Sequence, residues 1–129
     1  MWKFVIAVGV ATTVGGCQPK GPVALAVPSN TPQRLDFFYS ANDDCSSAGQ
    51  TVVQVTTLPA NGKAEIKFAK DYPAYPDTNP HKSCNKTALD TTQIWYTPNP
   101  GFIGTDSLKV TATFPAGAPT DFTYPIVVK

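Results

Sequence analysis

The chain has 129 residues, thirteen prolines and nine glycines, and its formal net charge is +1 with charges of both signs scattered along it. That length holds one domain of roughly 100 residues once the ends are set aside, and it can bury a core without a metal. The scattered charge excludes the basic patch that a nucleic-acid-binding protein carries, so we expect no nucleic-acid partner.

The N-terminal segment has the features of an export signal. Lys3 precedes an apolar run, residues 4–14, that is too short for a membrane helix. The run ends in Val-Gly-Gly-Cys at positions 14–17, which resembles the lipobox of bacterial lipoproteins. This resemblance implies a signal peptide over residues 1–16 and a diacylglycerol on the sulfur of Cys17.

Two further details bear on the destination of the protein. Position 18 is Gln and not Asp, and the lipoprotein resemblance then implies the outer membrane, on its periplasmic or surface face. Residues 24–26, Ala-Leu-Ala, also fit an A-x-A site, and cleavage after Ala26 would give a secreted or periplasmic protein instead. The third interpretation is that the N-terminal segment is not an export signal but a plain apolar segment that is buried in the core.

The rest of the chain is a series of short strand-like segments separated by proline, glycine and asparagine. Residues 17–32 are predicted to be the anchor cysteine, a tether and a possible first edge strand, followed by a domain over residues 33–129. The predicted strands are 23–27, 34–39, 51–58, 63–68, a segment that begins at Gln93, 108–114 and 122–128. About seven strands with turn signals between them predict an all-β, antiparallel sandwich.

Period-two alternation predicts which side chains share a face. The last strand contains Pro125, which lacks a backbone donor and suits an edge position. Trp95 and Tyr96 are adjacent, so they should point to opposite faces as core and rim residues. In the predicted strand 34–39, one face carries Leu35, Phe37 and Tyr39, and the other carries Arg34, Asp36 and Phe38. One face of the strand 63–68 carries Ala64, Ile66 and Phe68. One face of the strand 108–114 carries Leu108, Val110, Ala112 and Phe114.

Two pieces of the sequence, VTTLPANGKAEI and IWYTPNPGFIGTDSLKVTATF, resemble bacterial immunoglobulin-like and cadherin-like repeat domains. The resemblance implies a single immunoglobulin-like sandwich and leaves its role open, because such sandwiches host many functions. The matching residues are Pro59, Asn61, Gly62, Tyr96, Thr97, Pro98, Gly101, Phe102, Gly104, Asp106 and Ser107.

Cys45 and Cys84 both lie in segments predicted to be loops. Two such thiols in an exported chain are expected to pair, and the bond should stabilise the fold by about 4 kcal/mol in the chain-entropy treatment. The chain lacks the C-x-x-C spacing of a redox-active pair.

Residues 69–90 form the longest segment predicted to be irregular, and such segments are commonly functional or cross-linked. Tyr72, Tyr75 and His81 lie in it and supply side chains of the type enriched at interaction hot spots, so they are the candidate partner contacts. The alternative is that the tyrosines fold back over an open end of the sandwich.

Evidence for catalysis in the sequence is slight. His81 is the one histidine, with Ser83, Asp71 and Asp77 near it in sequence, but no pattern orients a base between a nucleophile and an acid. Asp43, Asp44 and Asp77 could supply oxygens to Ca²⁺, but such a cation takes six or more ligands. We therefore expect no enzymatic activity, no cofactor and no metal.

The two resemblances together imply an exported, lipid-anchored immunoglobulin-like module of the bacterial cell envelope with a binding or structural role. Its partner would be an envelope protein or a polysaccharide, and the anchor on Cys17 would hold it at the membrane. The alternative is a secreted inhibitor or adhesin that binds another protein through loops joined by Cys45 and Cys84.

Overall fold

The structure is a computed structural model that describes residues 24–129. These residues form seven strands and one short 3-10 helix. The strands are β1 (Leu25–Val27), β2 (Gln33–Phe38), β3 (Val52–Thr57), β4 (Gly62–Asp71), β5 (Leu89–Pro98), β6 (Gly104–Thr113) and β7 (Thr120–Val128), and the 3-10 helix covers Lys82–Lys86.

The strands form two sheets that pack face to face. One sheet has the order β1-β7-β6-β3, and the other has the order β2-β5-β4. Neighbouring strands are antiparallel, except that β1 pairs with β7 in parallel. The predicted all-β sandwich of seven strands is confirmed.

The core lies between the inner faces of the two sheets. Leu108, Val110 and Ala112 of β6 are fully buried, as their alternation with polar residues predicts. Tyr96 is 0% exposed whereas Trp95 is half-buried on the opposite face of β5, which confirms their predicted separation. The main core cluster consists of Val27, Phe38, Val53, Ile94, Tyr96, Leu108, Val110, Ala112, Tyr124, Ile126 and Val128.

Two hydrogen bonds, one buried and one partly buried, connect the two sides of the sandwich. The Tyr124 hydroxyl of β7 donates to Asp36 of β2 at 2.6 Å, and the Thr92 hydroxyl of β5 donates to the Thr51 carbonyl at 2.6 Å. Burial, together with the hydrogen bond to Asp36, raises the pKa of Tyr124, so this hydroxyl stays a donor. Such bonds favour one relative placement of the sheets, because a shifted sheet would leave these groups unpaired.

The predicted faces of two strands need correction. In β2 the pairing with β5 shifts between Arg34 and Asp36, and this bulge places Phe38 in the core. Phe37 packs instead against Tyr39, outside the main core, with ring centroids 5.2 Å apart. Phe68 of β4 follows the alternation of its strand but is 60% exposed, and therefore does not join the core.

The prediction of an irregular segment over residues 69–90 was wrong at both ends. Ala69 to Asp71 continue β4, and they pair with the start of β5 at Leu89 to Thr91. The irregular part is therefore residues 72–88, and the 3-10 helix lies within it. The edge prediction for the last strand was also wrong, because β7 lies between β1 and β6. Pro125 precedes the residues that pair with β1.

Candidate functional site

A disulfide between Cys45 and Cys84 joins two loops at one end of the sandwich, and it confirms the predicted pairing. The two Cα atoms are 5.2 Å apart. We call residues 39–51 and 72–88 the disulfide-end loops. They meet because β2 and β4 end, and β3 and β5 begin, at this end of the sheets.

Tyr75 holds the two disulfide-end loops together beneath the disulfide. Its ring packs edge-on against Tyr39 at 5.1 Å between centroids, and its hydroxyl accepts the N–H of Ala41 at 3.1 Å. The Asn85 side chain accepts the Tyr75 N–H and donates to the Tyr75 carbonyl, both at 2.9 Å. Tyr75 is thus largely occupied by contacts within the disulfide-end loops.

The other two candidate contact residues differ in exposure. His81 packs near Tyr75, with 5.6 Å between ring centroids, and its Nε2 lies 3.1 Å from a carboxylate oxygen of Asp43. Tyr72 directly follows β4 and is 58% exposed. The structure therefore brings Tyr75 and His81 together and leaves Tyr72 open to solvent. Whether any of the three contacts a partner stays a prediction.

The acidic residues near His81 in sequence face other groups. The contact between His81 and Asp43 joins the two disulfide-end loops, and no local pattern in the sequence indicated it. Among residues 24–129 there is no group of three or more His, Cys, Asp or Glu side chains placed to hold a metal ion. Asp71 pairs instead with Arg34 at 2.8 Å, and Asp77 pairs with Lys82 at 3.4 Å.

A second cluster, which we call the Asp106 cluster, lies at the opposite end of the sandwich. The Asp106 carboxylate accepts the Tyr96 hydroxyl at 2.8 Å and the N–H groups of Ala60, Asn61 and Ser107 at 2.9, 3.0 and 2.9 Å. It ties the turn between β3 and β4 to β5 and β6. Asn61, Tyr96, Asp106 and Ser107 all lie in the two sequence pieces quoted above, and in this structure they join the turn to the neighbouring strands.

The Asp106 cluster makes stability depend on pH. Burial alone would raise the pKa of Asp106, but the hydrogen bonds from Tyr96 and from three backbone N–H groups outweigh it and lower the pKa below its ordinary value. A carboxyl group with a lowered pKa contributes stability above its unfolded pKa, and that contribution is lost as the pH falls through the folded pKa.

We therefore expect Asp106→Asn to lower the free energy of unfolding by about 1–3 kcal/mol at pH 7, because it leaves backbone donors unpaired. The deficit relative to the wild type should shrink as the pH falls below the unfolded pKa of aspartate, about 3.9, and through the lower folded pKa, where the wild-type carboxyl also becomes neutral. Urea unfolding across this range measures both. Asp121→Asn is the control, since Asp121 is exposed and accepts only the Thr111 hydroxyl. A deficit that does not change with pH would contradict the assignment.

The outer face of the three-stranded sheet is covered by its own side chains. Along β5, Trp95 Nε1 donates to Gln93, Gln93 donates to Thr91, and Thr91 donates to the Ala69 carbonyl, at 2.8, 3.2 and 2.7 Å. Lys67 Nζ lies 4.7 Å from the centre of the Trp95 ring. Because the ring is half-buried and already in contact with a cation, Trp95 is not an open aromatic platform.

Comparison with known proteins adds little. No protein-family model and no curated protein matches the chain. The solution structure of amebosin is similar at 8% sequence identity, over 82% of this chain and 88% of that chain, with a TM-score of 0.47.

The anchor prediction lies outside the part of the chain that the structure describes. Residues 1–16 and Cys17 precede residue 24, where the description begins. Within residues 24–129, no helix is long and apolar enough to cross a membrane.

Proposed function

We propose that the protein is an exported, lipid-anchored immunoglobulin-like module of the bacterial cell envelope, with a binding or structural role. The observation that carries this proposal is the Cys45–Cys84 disulfide. Structural disulfides persist in oxidising compartments and are rare in the cytosol, so the bond indicates a location outside the cytoplasm. The lipobox-like sequence that ends at Cys17 supports the membrane as that location.

A binding or structural role is favoured over catalysis by what surrounds the titratable groups. Asp71 and Asp106 are ionised and held by hydrogen bonds within the fold, and the Tyr96 and Tyr124 hydroxyls are held protonated by burial beside carboxylates. Each of these groups is held by a partner within the fold, so the shifts strengthen contacts between parts of the sandwich. The partner that we propose is an envelope protein or a polysaccharide.

A secreted inhibitor or adhesin is the second candidate, and the construction of the disulfide-end loops favours it. The disulfide, the paired hydrogen bonds of Asn85 and the packing of Tyr75 on Tyr39 hold these loops in one shape. A loop that is already ordered loses less conformational entropy when a partner binds. Tyr72, the first residue of the second of these loops, is exposed.

One experiment separates the two candidates. We expect the mature protein to begin at Cys17 with the mass of an attached lipid and to fractionate with the outer membrane, because the lipobox-like sequence precedes that cysteine. Cys17→Ser should move the protein to the soluble fraction, because this substitution removes the sulfur atom that would carry the lipid. Intact-mass spectrometry and membrane fractionation provide the measurement.

A sorting variant serves as the control for this experiment. By analogy with the lipoprotein family, Gln18→Asp should keep the lipid and retain the protein in the inner membrane. A mature chain that begins at Val27 without acyl mass would contradict the anchored module and support the secreted alternative.

A further inference from the structure

The turn between β3 and β4 contains Asn61 directly followed by Gly62, and this pair can modify itself. The backbone nitrogen of a glycine can attack the side-chain carbonyl carbon, Cγ, of a preceding asparagine, because glycine has no side chain to hinder the approach. The new N–C bond closes a succinimide ring, and the amide NH2 group leaves with the glycine proton as ammonia. Water then opens the ring to aspartate or isoaspartate. Asn61 is the one asparagine in the chain that precedes a glycine.

The structure holds the backbone on both sides of the Asn61 Cα atom. The Asn61 N–H donates to a carboxylate oxygen of Asp106 at 3.0 Å, and the Asn61 carbonyl accepts the N–H of Asn99 at 2.9 Å. The Tyr96 hydroxyl lies 3.4 Å from the same carbonyl. Closing the ring needs a ψ angle outside the common α and β regions, so it swings this carbonyl away from its donors. The reaction therefore breaks contacts of the Asp106 cluster.

Gly62, which supplies the attacking nitrogen, is also confined. It pairs with Pro98 in the ladder between β4 and β5, and a Cβ atom placed on it would lie 2.5 Å from the Tyr96 ring. That ring is 0% exposed. Moving the Gly62 backbone to bring its nitrogen to the Asn61 side chain therefore disturbs both the ring packing and the ladder.

The products of the reaction do not fit the closed corner. Aspartate at position 61 adds a carboxylate to a residue whose N–H is bonded to the Asp106 carboxylate, and like charges this close repel. Isoaspartate also lengthens the main chain by a methylene group, directly before the tightly packed Gly62. A corner that has opened and reacted therefore closes less well afterwards.

We propose that Asn61 is a self-modification site whose deamidation is gated by the Asp106 cluster. The closed corner suppresses succinimide formation, the reaction proceeds from molecules in which the corner has opened, and the product hinders closing. The amount of product at Asn61 then records how much of the time the corner has been open. This inference depends neither on the lipid at Cys17 nor on a partner.

The test compares the full mature protein with a peptide that has the sequence of residues 58–65, in the same mildly alkaline buffer. Peptide mapping by mass spectrometry measures conversion at Asn61 from the mass difference between amide and acid. We expect Asn61 to react more slowly in the protein by at least about tenfold, because only the open fraction is reactive. Asp106→Ala should restore much of the rate of the peptide. Tyr96→Phe, which removes only the hydroxyl, is the milder second variant and should raise the rate in part.

A variant at the other end of the sandwich is the matched control. Cys45→Ser with Cys84→Ser lowers the overall stability without touching the Asp106 cluster. If the corner opens locally, Asn61 in this control should react at the wild-type rate. Acceleration equal to that of Asp106→Ala would overturn the gating, because the reaction would then follow global unfolding. Equal rates in the wild-type protein and the peptide would also overturn it.

Two substitutions at Asn61 test the effect of the product. Asn61→Asp introduces the carboxylate of the direct product, whereas Asn61→Ala keeps the backbone contacts and cannot deamidate. We expect Asn61→Asp to have a lower melting temperature than Asn61→Ala at neutral pH, and the difference should shrink in acid, where the carboxylates become neutral. Equal melting temperatures at neutral pH would overturn the claim that the product hinders closing.

Discussion

Replacing both Cys45 and Cys84 by serine is expected to lower the free energy of unfolding by about 2–5 kcal/mol. The two cysteines are 39 residues apart, and closing a loop of that length restricts the unfolded chain by about 4 kcal/mol in the chain-entropy treatment. The variant also loses contacts around Cys84, which is 1% exposed in a small cluster with Ala41 and Leu89. Urea unfolding of the oxidised protein and the variant measures the difference.

The sandwich itself should survive this change. The main core cluster lies between the sheets and contains neither cysteine. We therefore expect the variant to keep its β-sheet circular dichroism while amides in the disulfide-end loops exchange faster. Thiol labelling of exported wild-type protein under native and unfolding conditions is the companion measurement. Labelling of both cysteines would contradict the bond, and loss of the whole fold in the variant would show that the loops support the core.

Gly62→Ala is expected to destabilise the fold by about 1–3 kcal/mol, because the site is already full. A Cβ atom at Gly62 would lie 2.5 Å from Cε1 of Tyr96 and 2.7 Å from the carbonyl oxygen of Thr97. The Tyr96 ring is fully buried and its hydroxyl is fixed on Asp106, so neither neighbour can move freely. The added methyl group must therefore displace either the ring or the pairing of β4 with β5.

Gly117→Ala provides a matched control for this prediction. A Cβ atom there would meet only Cβ of Phe114 at 3.6 Å, an ordinary contact distance. The control should be neutral or slightly stabilising, because alanine reduces the freedom of the unfolded chain. Thermal unfolding of both variants tests the pair, and equal melting temperatures would contradict the role of the packed Tyr96 ring.

The strands could be predicted from sequence where alternation is regular and turns are marked. Leu108, Val110 and Ala112 alternate with polar residues between clear turn signals, and the structure buries all three. The pairing of Cys45 with Cys84 also followed from the sequence, because two loop thiols in an exported chain have few alternatives. The strands depend on patterns between residues close in sequence, and the disulfide depends on a choice among very few cysteines.

The features that sequence reasoning missed depend on contacts between distant segments. Nothing local marks the bulge that places Phe38 in the core, since its cause is the pairing of β2 with β5. Prolines near Ala69 suggested a loop, but pairing with Thr91 extends β4 through it. The sequence offered Asp106 as the polar residue at which the chain leaves a turn-rich corner. Its bonds to Tyr96 and Ala60 became visible only in three dimensions.

The parallel pairing of β1 with β7 has a consequence for the order of folding. These are the first and last strands of the described chain, and Leu25 pairs with Ile126. Backbone bonds from Lys129 to Val27 and from Ser29 to Lys129, both 3.1 Å, extend the contact to the last residue. Pairings so distant in sequence raise the contact order and slow folding. Because β1 pairs with the last strand, we expect the four-stranded sheet to be complete only when the whole of residues 25–128 is available to fold.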